Sequence, residues 1–129
     1  MIEFIVPMLP PVECSPNWRG HWGKRMRASR TYKEAVYYCA CSVRPGAPYQ
    51  YAVLEIICVV AQRRVRDEDN WKARFKPGQD ALVLAGVIAF DDTAHLKVKP
   101  VRFEVNRSRA PATVIRVARL KALGNAIVP

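Results

Sequence analysis

Apolar and polar residues alternate through Ile2-Glu3-Phe4-Ile5-Val6, the period-two pattern of a strand with one buried face. The prolines between residues 7 and 16 then exclude regular pairing or helix, because each lacks a backbone donor and fixes its own φ. Apolar residues recur at helical spacing downstream of Ser29, which stands where an N-cap would, so a helix is predicted over residues 30 to 43. Val36, Tyr37 and Tyr38 are assigned to its core face. Arg44-Pro45-Gly46-Ala47-Pro48 breaks the chain, and the β-branched, apolar run over residues 51 to 62 predicts a largely buried strand. Residues 71 to 86 read as helical, kinked or divided by Pro77-Gly78 and stopped at Gly86. Two more strands are expected near residues 96 to 106 and 112 to 119, joined by a turn at residues 107 to 111. The last ten residues read as a loose tail or a short helix.

With 129 residues, half of them hydrophobic, the chain has material for one core and one domain. The longest apolar run is strand-sized, well short of the roughly 20 residues of a membrane span. The N-terminus lacks the basic and apolar regions of a secretory leader, so a soluble protein of the cytoplasm, without a membrane partner, is expected. Cys14, Cys39, Cys41 and Cys58 have the spacing of neither a C-x-x-C pair nor a zinc finger, and read as small hydrophobes in a reducing compartment.

Charge changes the picture. Twenty-one Lys and Arg against 11 Asp and Glu give a formal +10, a field that draws in polyanions, and nucleic acid is the default partner. Six basic residues and no acidic one lie between Arg19 and Lys33, interleaved with His21, Trp22 and Tyr32, a composition suited to phosphate contacts and stacking. A solvated basic loop has the same composition. Six of the 11 acidic residues, by contrast, crowd between Asp67 and Asp92. On a strand end Asp67 and Asp69 would share a face while Glu68 turns away. Asp91-Asp92, after Val87-Ile88-Ala89-Phe90, supplies a second acidic edge that a short strand would bring alongside the first. Carboxylates alone repel a phosphodiester. Hard oxygens holding Mg²⁺ reverse the local sign, and such an ion polarises phosphoryl oxygen and activates water. Neither histidine has a serine or cysteine nucleophile motif beside it, and no glycine-rich phosphate loop is present. No organic cofactor is expected.

The order of these pieces resembles one known family. Arg63-Arg64-Val65-Arg66-Asp67-Glu68-Asp69-Asn70, then Lys76, Asp80-Ala81-Leu82, Ala85-Gly86-Val87 and Asp91-Asp92, is similar to the signature of the RusA family of Holliday-junction resolvases. Leu9-Pro10-Pro11 with Ser15, Asn17, Trp18 and Arg19 resembles that family's N-terminal segment, and the likeness covers roughly residues 3 to 118. The resemblance implies a single α+β domain over residues 1–129, with a mixed sheet of about four or five strands and two main helices. It further implies a homodimer, of phage or prophage type, that cuts four-way DNA junctions by paired nicks with Mg²⁺, which Mn²⁺ can replace. Asp67 and Asp69 match the first two metal-binding carboxylates, and Asp92 or Asp91 the third. Lys76, four residues before Asp80, matches the catalytic lysine that would neutralise charge at the scissile phosphate, with Lys72 as the alternative at a shorter gap. Asp80 is either a group behind the site or an i,i+4 partner of Lys76. DNA contacts are expected from Asn17, Arg19, Lys24, Arg25 and Arg27 upstream, and from Arg63, Arg64, Arg66, Asn70 and Lys72 around the acidic motif. A non-catalytic nucleic-acid-binding module, and a metal-dependent nuclease for flaps or structured RNA, are the competing readings.

Overall fold

In the computed structural model, which describes residues 1–121, the N-terminal alternation becomes β1 (Ile2–Val6), with Ile2, Phe4 and Val6 buried and Glu3 and Ile5 exposed. A proline-bearing segment with one 3-10 turn (Val12–Cys14) leads to α1 (Trp22–Cys41). This helix begins eight residues upstream of the predicted start. Residues 22 to 29 contain no proline and no β-branched residue to stop it, and His21 caps it, its Nδ1 accepting from the Gly23 amide at 3.0 Å. Ser29 therefore lies inside the helix and caps nothing. Tyr32, Val36 and Ala40, four apart, form the fully buried stripe, and Tyr37 packs half-buried against the core, whereas Tyr38 is exposed, a correction to its assignment as core.

The apolar run forms β2 (Tyr51–Val60), followed by α2 (Glu68–Arg74) and α3 (Lys76–Leu84). The expected division of this helical stretch falls at Phe75, just ahead of Pro77. A proline at the second position of a helix costs nothing, because its absent donor would have had no partner there. Gly86, at φ +80°, ends α3: its amide bonds to the Val83 carbonyl and that of Val87 to the Leu82 carbonyl, closing the helix as expected. The expected strand at residues 96 to 106 is split into β3 (Leu96–Val98) and β4 (Arg102–Val105), and β5 (Ala112–Leu120) completes the sheet. Residues 122 to 129, where a tail or short helix was expected, lie outside the described residues.

The result is a single α+β domain with a mixed sheet of five strands and three helices. β1 and β2 flank β5 antiparallel, with Phe4, Ile115 and Ile56 in one cross-strand row. β3 and β4 lie end to end along the other edge of β2, parallel to it. A parallel neighbour requires a crossover, and α2 and α3 are that crossover. They pack with α1 over the face bearing Leu54, Ile56, Cys58 and Val60. The opposite face carries a smaller apolar group, Ile57, Val59, Ala112 and Val114. Among the described residues no helix is long and apolar enough to cross a membrane.

Candidate nucleic-acid site at the α1 and α2–α3 cleft

Beyond β2 the chain runs through an exposed loop that reaches the acidic motif at Asp67. Within it Arg66 is turned back on its own backbone: one amino group donates to the Gln62 carbonyl at 2.8 Å and the other to the Arg64 carbonyl at 3.2 Å. Its guanidinium lies 5.2 Å from the Phe103 ring centroid. Arg63 and Arg64 are exposed on the same loop.

Asp67 and Asp69 do not sit together on a strand end. Helix α2 starts immediately after Asp67, which is its N-cap, one carboxylate oxygen accepting from the Asp69 amide at 3.0 Å and the Asn70 amide at 3.3 Å. An aspartate favours this position because its oxygen satisfies amides that have no partner within the helix, and the period of two that would have paired the side chains is lost. Glu68 does turn away. Its Oε1 accepts from the Val101 amide at 2.8 Å, tying α2 to the gap between β3 and β4, where Pro100 interrupts the ladder.

Asp69 instead shares a face with Lys72, Ala73 and Lys76, positions three, four and seven residues on, and all four line one cleft with Arg25 and Gln79. This part of the cleft has a volume of about 480 Å³. It continues into a second part of about 460 Å³, which shares Arg25 and Lys76 and adds Ser29, Arg30, Lys33 and Asp80. Together the two parts present five cations, Arg25, Arg30, Lys33, Lys72 and Lys76, against Asp69 and Asp80.

Lys76 stands where the two parts meet. Its ammonium donates to Asp80 and to Asp91, 15 residues away, at 2.9 Å each. Hydrogen bonding to Asp91, then Asp80, raises its pKa above the ordinary lysine value, and the same contact with Lys76 lowers that of Asp91. Gln79 holds the Asp91 backbone, donating to its carbonyl at 3.2 Å. The i,i+4 pairing expected of Asp80 is thus present, and Asp91 is fastened to the same ammonium. Asp92 is engaged elsewhere. Its Oδ1 accepts from the Ala94 amide at 2.9 Å and lies 2.7 Å from His95 Nδ1, a contact that lowers its pKa. The short strand expected at residues 87 to 90 is reduced to one bridge, Tyr49 with Ile88.

An oxygen-only donor set has the chemistry that a hard divalent ion takes. The arrangement does not supply it: among the described residues no three His, Cys, Asp or Glu side chains form a group that could hold a metal. Asp67 is committed to its helix cap, Asp91 to Lys76 and Asp92 to His95. As they stand, these residues do not fit a metal centre.

No protein-family model matches the chain, and no curated protein matches it.

Of the residues expected at a site, Asp69, Lys72, Lys76 and Arg25 converge, with Asp91 joined through Lys76. Asn17, Arg19, Lys24, Arg27, Arg63 and Arg64 are exposed but do not line this cleft, and Asn70 is half-buried in α2. Sequence reasoning missed Ser29 and Gln79, and it had Arg30 and Lys33 only as members of the basic run, not among the named DNA contacts. The signal for Ser29, Arg30 and Lys33 was the pair of rows Arg25, Ser29, Lys33 and Trp22, Met26, Arg30 at intervals of four, legible only once the helix is extended upstream. It also missed Arg74, whose guanidinium stacks 3.6 Å over Trp71 and bonds the Pro10 carbonyl at 2.6 Å, holding the proline segment against α2.

Proposed function

We propose that this protein is a metal-dependent endodeoxyribonuclease acting on branched DNA, four-way junctions above all, in the cytoplasm during recombination and repair. The observation that carries the reading is the convergence of Asp69, Lys72 and Lys76 in one basic cleft, with Asp91 brought from the far side of α3 onto the Lys76 ammonium. The order of the motifs, similar to that of RusA resolvases, supports it, as does the formal charge of +10.

Within this reading Arg25 and Lys72 attract and orient the phosphodiester, and Lys76 places positive charge where a leaving oxygen becomes anionic. Dependence on Mg²⁺ rests on the likeness of the motif alone, since Asp67, Asp91 and Asp92 as placed are engaged by the protein itself. A homodimer follows from the substrate, since two equivalent nicks across a two-fold junction require two equivalent sites.

One observation favours a second reading, a binding module without catalysis: Asp67, Asp91 and Asp92 are all engaged by groups of the protein itself. One assay separates the two. A labelled four-way junction, a matched duplex and a single strand are incubated with Mg²⁺ or EDTA, beside an Asp69→Asn variant. Symmetric nicks in the junction alone, abolished by chelator and by the substitution, are expected. Binding without any nick under either condition supports the module, and undiminished cutting by the variant removes Asp69 from the site.

A further inference from the structure

Helix α1 carries a second signal in the same cleft. Trp22, Met26 and Arg30 are four apart, as are Arg25, Ser29 and Lys33, so the six residues form two adjacent rows on one face of the helix. Five of the six line the cleft. Trp22 stands one turn before Met26 at the head of its row and is 67% exposed, unusual for a tryptophan, whose large apolar surface is ordinarily covered. Its ring is stacked on His21, with centroids 5.6 Å apart. Met26 is half-exposed beside it. Among the described residues, Arg25, Arg30 and Lys33 enter no ion pair.

We propose that the cleft between α1 and the α2–α3 pair is a track for an unpaired DNA strand, with Trp22 as a stacking platform at its mouth and Arg25, Arg30 and Lys33 as phosphate contacts. Charge complementarity selects a polyanion, and the aromatic at the head of a cationic row selects one whose bases are free to stack. The rise from Arg25 to Lys33 is roughly 12 Å at 1.5 Å per residue. Three cations spread over that length can meet successive phosphates of one strand. A cleft of about 460 Å³ has room for a nucleotide or two. The identity of the strand as DNA rests on the nuclease reading; the preference for an unpaired strand does not.

The test is fluorescence anisotropy with a labelled oligothymidylate and a blunt duplex, in EDTA so that nothing is cut, over a series of salt concentrations. The wild-type protein is expected to bind the single strand more tightly than a duplex of equal length. Arg30→Ala/Lys33→Ala should bind it roughly tenfold more weakly, with the slope of log affinity against log salt shallower by about 1.4, two contacts at 0.7 each. Trp22→Ala should also weaken binding roughly tenfold, but with the slope unchanged, since stacking releases no counterions. Circular dichroism confirms folding, and Lys33→Gln replaces the double variant should that fail to fold, with half the change in slope. A duplex preference in the wild type, or an unchanged slope in the cation variants, overturns the proposal. Junction cutting by a protein with either result would leave the nuclease reading intact, whereas the expected binding without any cutting would remove that reading and leave the track.

Discussion

At the scale of single residues, the most demanding polar contact lies beneath the cleft rather than in it. The Tyr32 hydroxyl donates to Thr113 Oγ1 at 2.9 Å, and Thr113 donates in turn to the Met8 carbonyl at 2.7 Å, joining α1, β5 and the proline segment. Both side chains are fully buried, and burial pushes the Tyr32 phenol far above its ordinary range, so it stays a neutral donor. The relay has a direction, and so do its failures. Tyr32→Phe removes a donor but leaves Thr113 bonded to Met8, and should cost about 1 kcal/mol. Thr113→Val strands the Tyr32 hydroxyl and the Met8 carbonyl together, and should cost roughly 2–4 kcal/mol, two unsatisfied groups instead of none. Urea denaturation distinguishes the two, and equal losses would show that the relay does not run this way. In the cleft the pair to test is Lys76 with Asp91, which is solvent-exposed enough to contribute no more than about 1 kcal/mol to stability. Lys76 holds the Asp91 carboxyl below its ordinary value of 3.8, so the interaction is complete above that pH and is lost as pH falls through the depressed value. A carboxyl ¹³C titration should place the Asp91 midpoint under 3.8 and move it upward in Lys76→Met; a wild-type midpoint at or above 3.8 would show that the pair does not form. Of this site the sequence disclosed the residue types and their order. It did not disclose that Asp67 would be drawn into a helix cap, because an Asp-x-Asp run serves a strand end and a helix start equally well, and only the tertiary placement of α2 decides between them.

At the scale of elements, the junction between α2 and α3 aims the site. Phe75 is buried at the break and packs edge-on to Tyr32, at 6.0 Å between centroids, and α3 crosses directly above both rings. A Cβ at Gly78 would fall 2.8 Å from Phe75 Cε1 and 3.1 Å from Tyr32 Cε2. In an unobstructed helix Gly→Ala stabilises by about 1 kcal/mol. Here the sign should reverse, with Gly78→Ala destabilising by roughly 1–3 kcal/mol as α3 is pushed off α1. Thermal denaturation checks it, and an unchanged or raised melting temperature would mean that the helices have room to spare. Pro77-Gly78 was legible as a disturbance, yet its purpose was not, since a glycine chosen for close approach looks the same in sequence as one chosen for a turn. β1, β2, β5 and Gly86 were read correctly because alternation, an apolar run and a helix stop are local properties, whereas the break at Pro100 that divides β3 from β4 was not foreseen. The first two turns of α1 were not, because they bury none of their side chains and so show no apolar stripe.

At the scale of the whole molecule, the question is whether net charge alone or its placement governs binding. On the sheet face away from the helices several arginines are matched by carboxylates. Arg116 bonds Glu3 at 3.0 Å and Glu55 at 3.4 Å, and Arg102 bonds Glu55 in turn, a charge ladder across β1, β5, β2 and β4. Arg109 is paired with Glu104 at 2.9 Å. Burial opposes ionisation of Glu55, but hydrogen bonds from Arg102 and Arg116 outweigh it and keep its pKa below the ordinary value. The cleft on the helix side, by contrast, gathers five cations against two carboxylates. A sheet layer and a helix layer separate the two faces, more than the screening length of roughly 8–10 Å at ordinary ionic strength. Arg102→Gln/Arg109→Gln and Arg25→Gln/Lys72→Gln lower the net charge by the same amount on opposite faces. If the overall field captured DNA, both would weaken junction binding equally. Placement predicts otherwise: in EDTA at fixed salt the ladder variant should bind within about twofold of wild type, while the cleft variant loses roughly tenfold or more. Equal losses would disperse the binding surface over the whole molecule and deprive the cleft of its standing, because five converging cations would then matter no more than any other two.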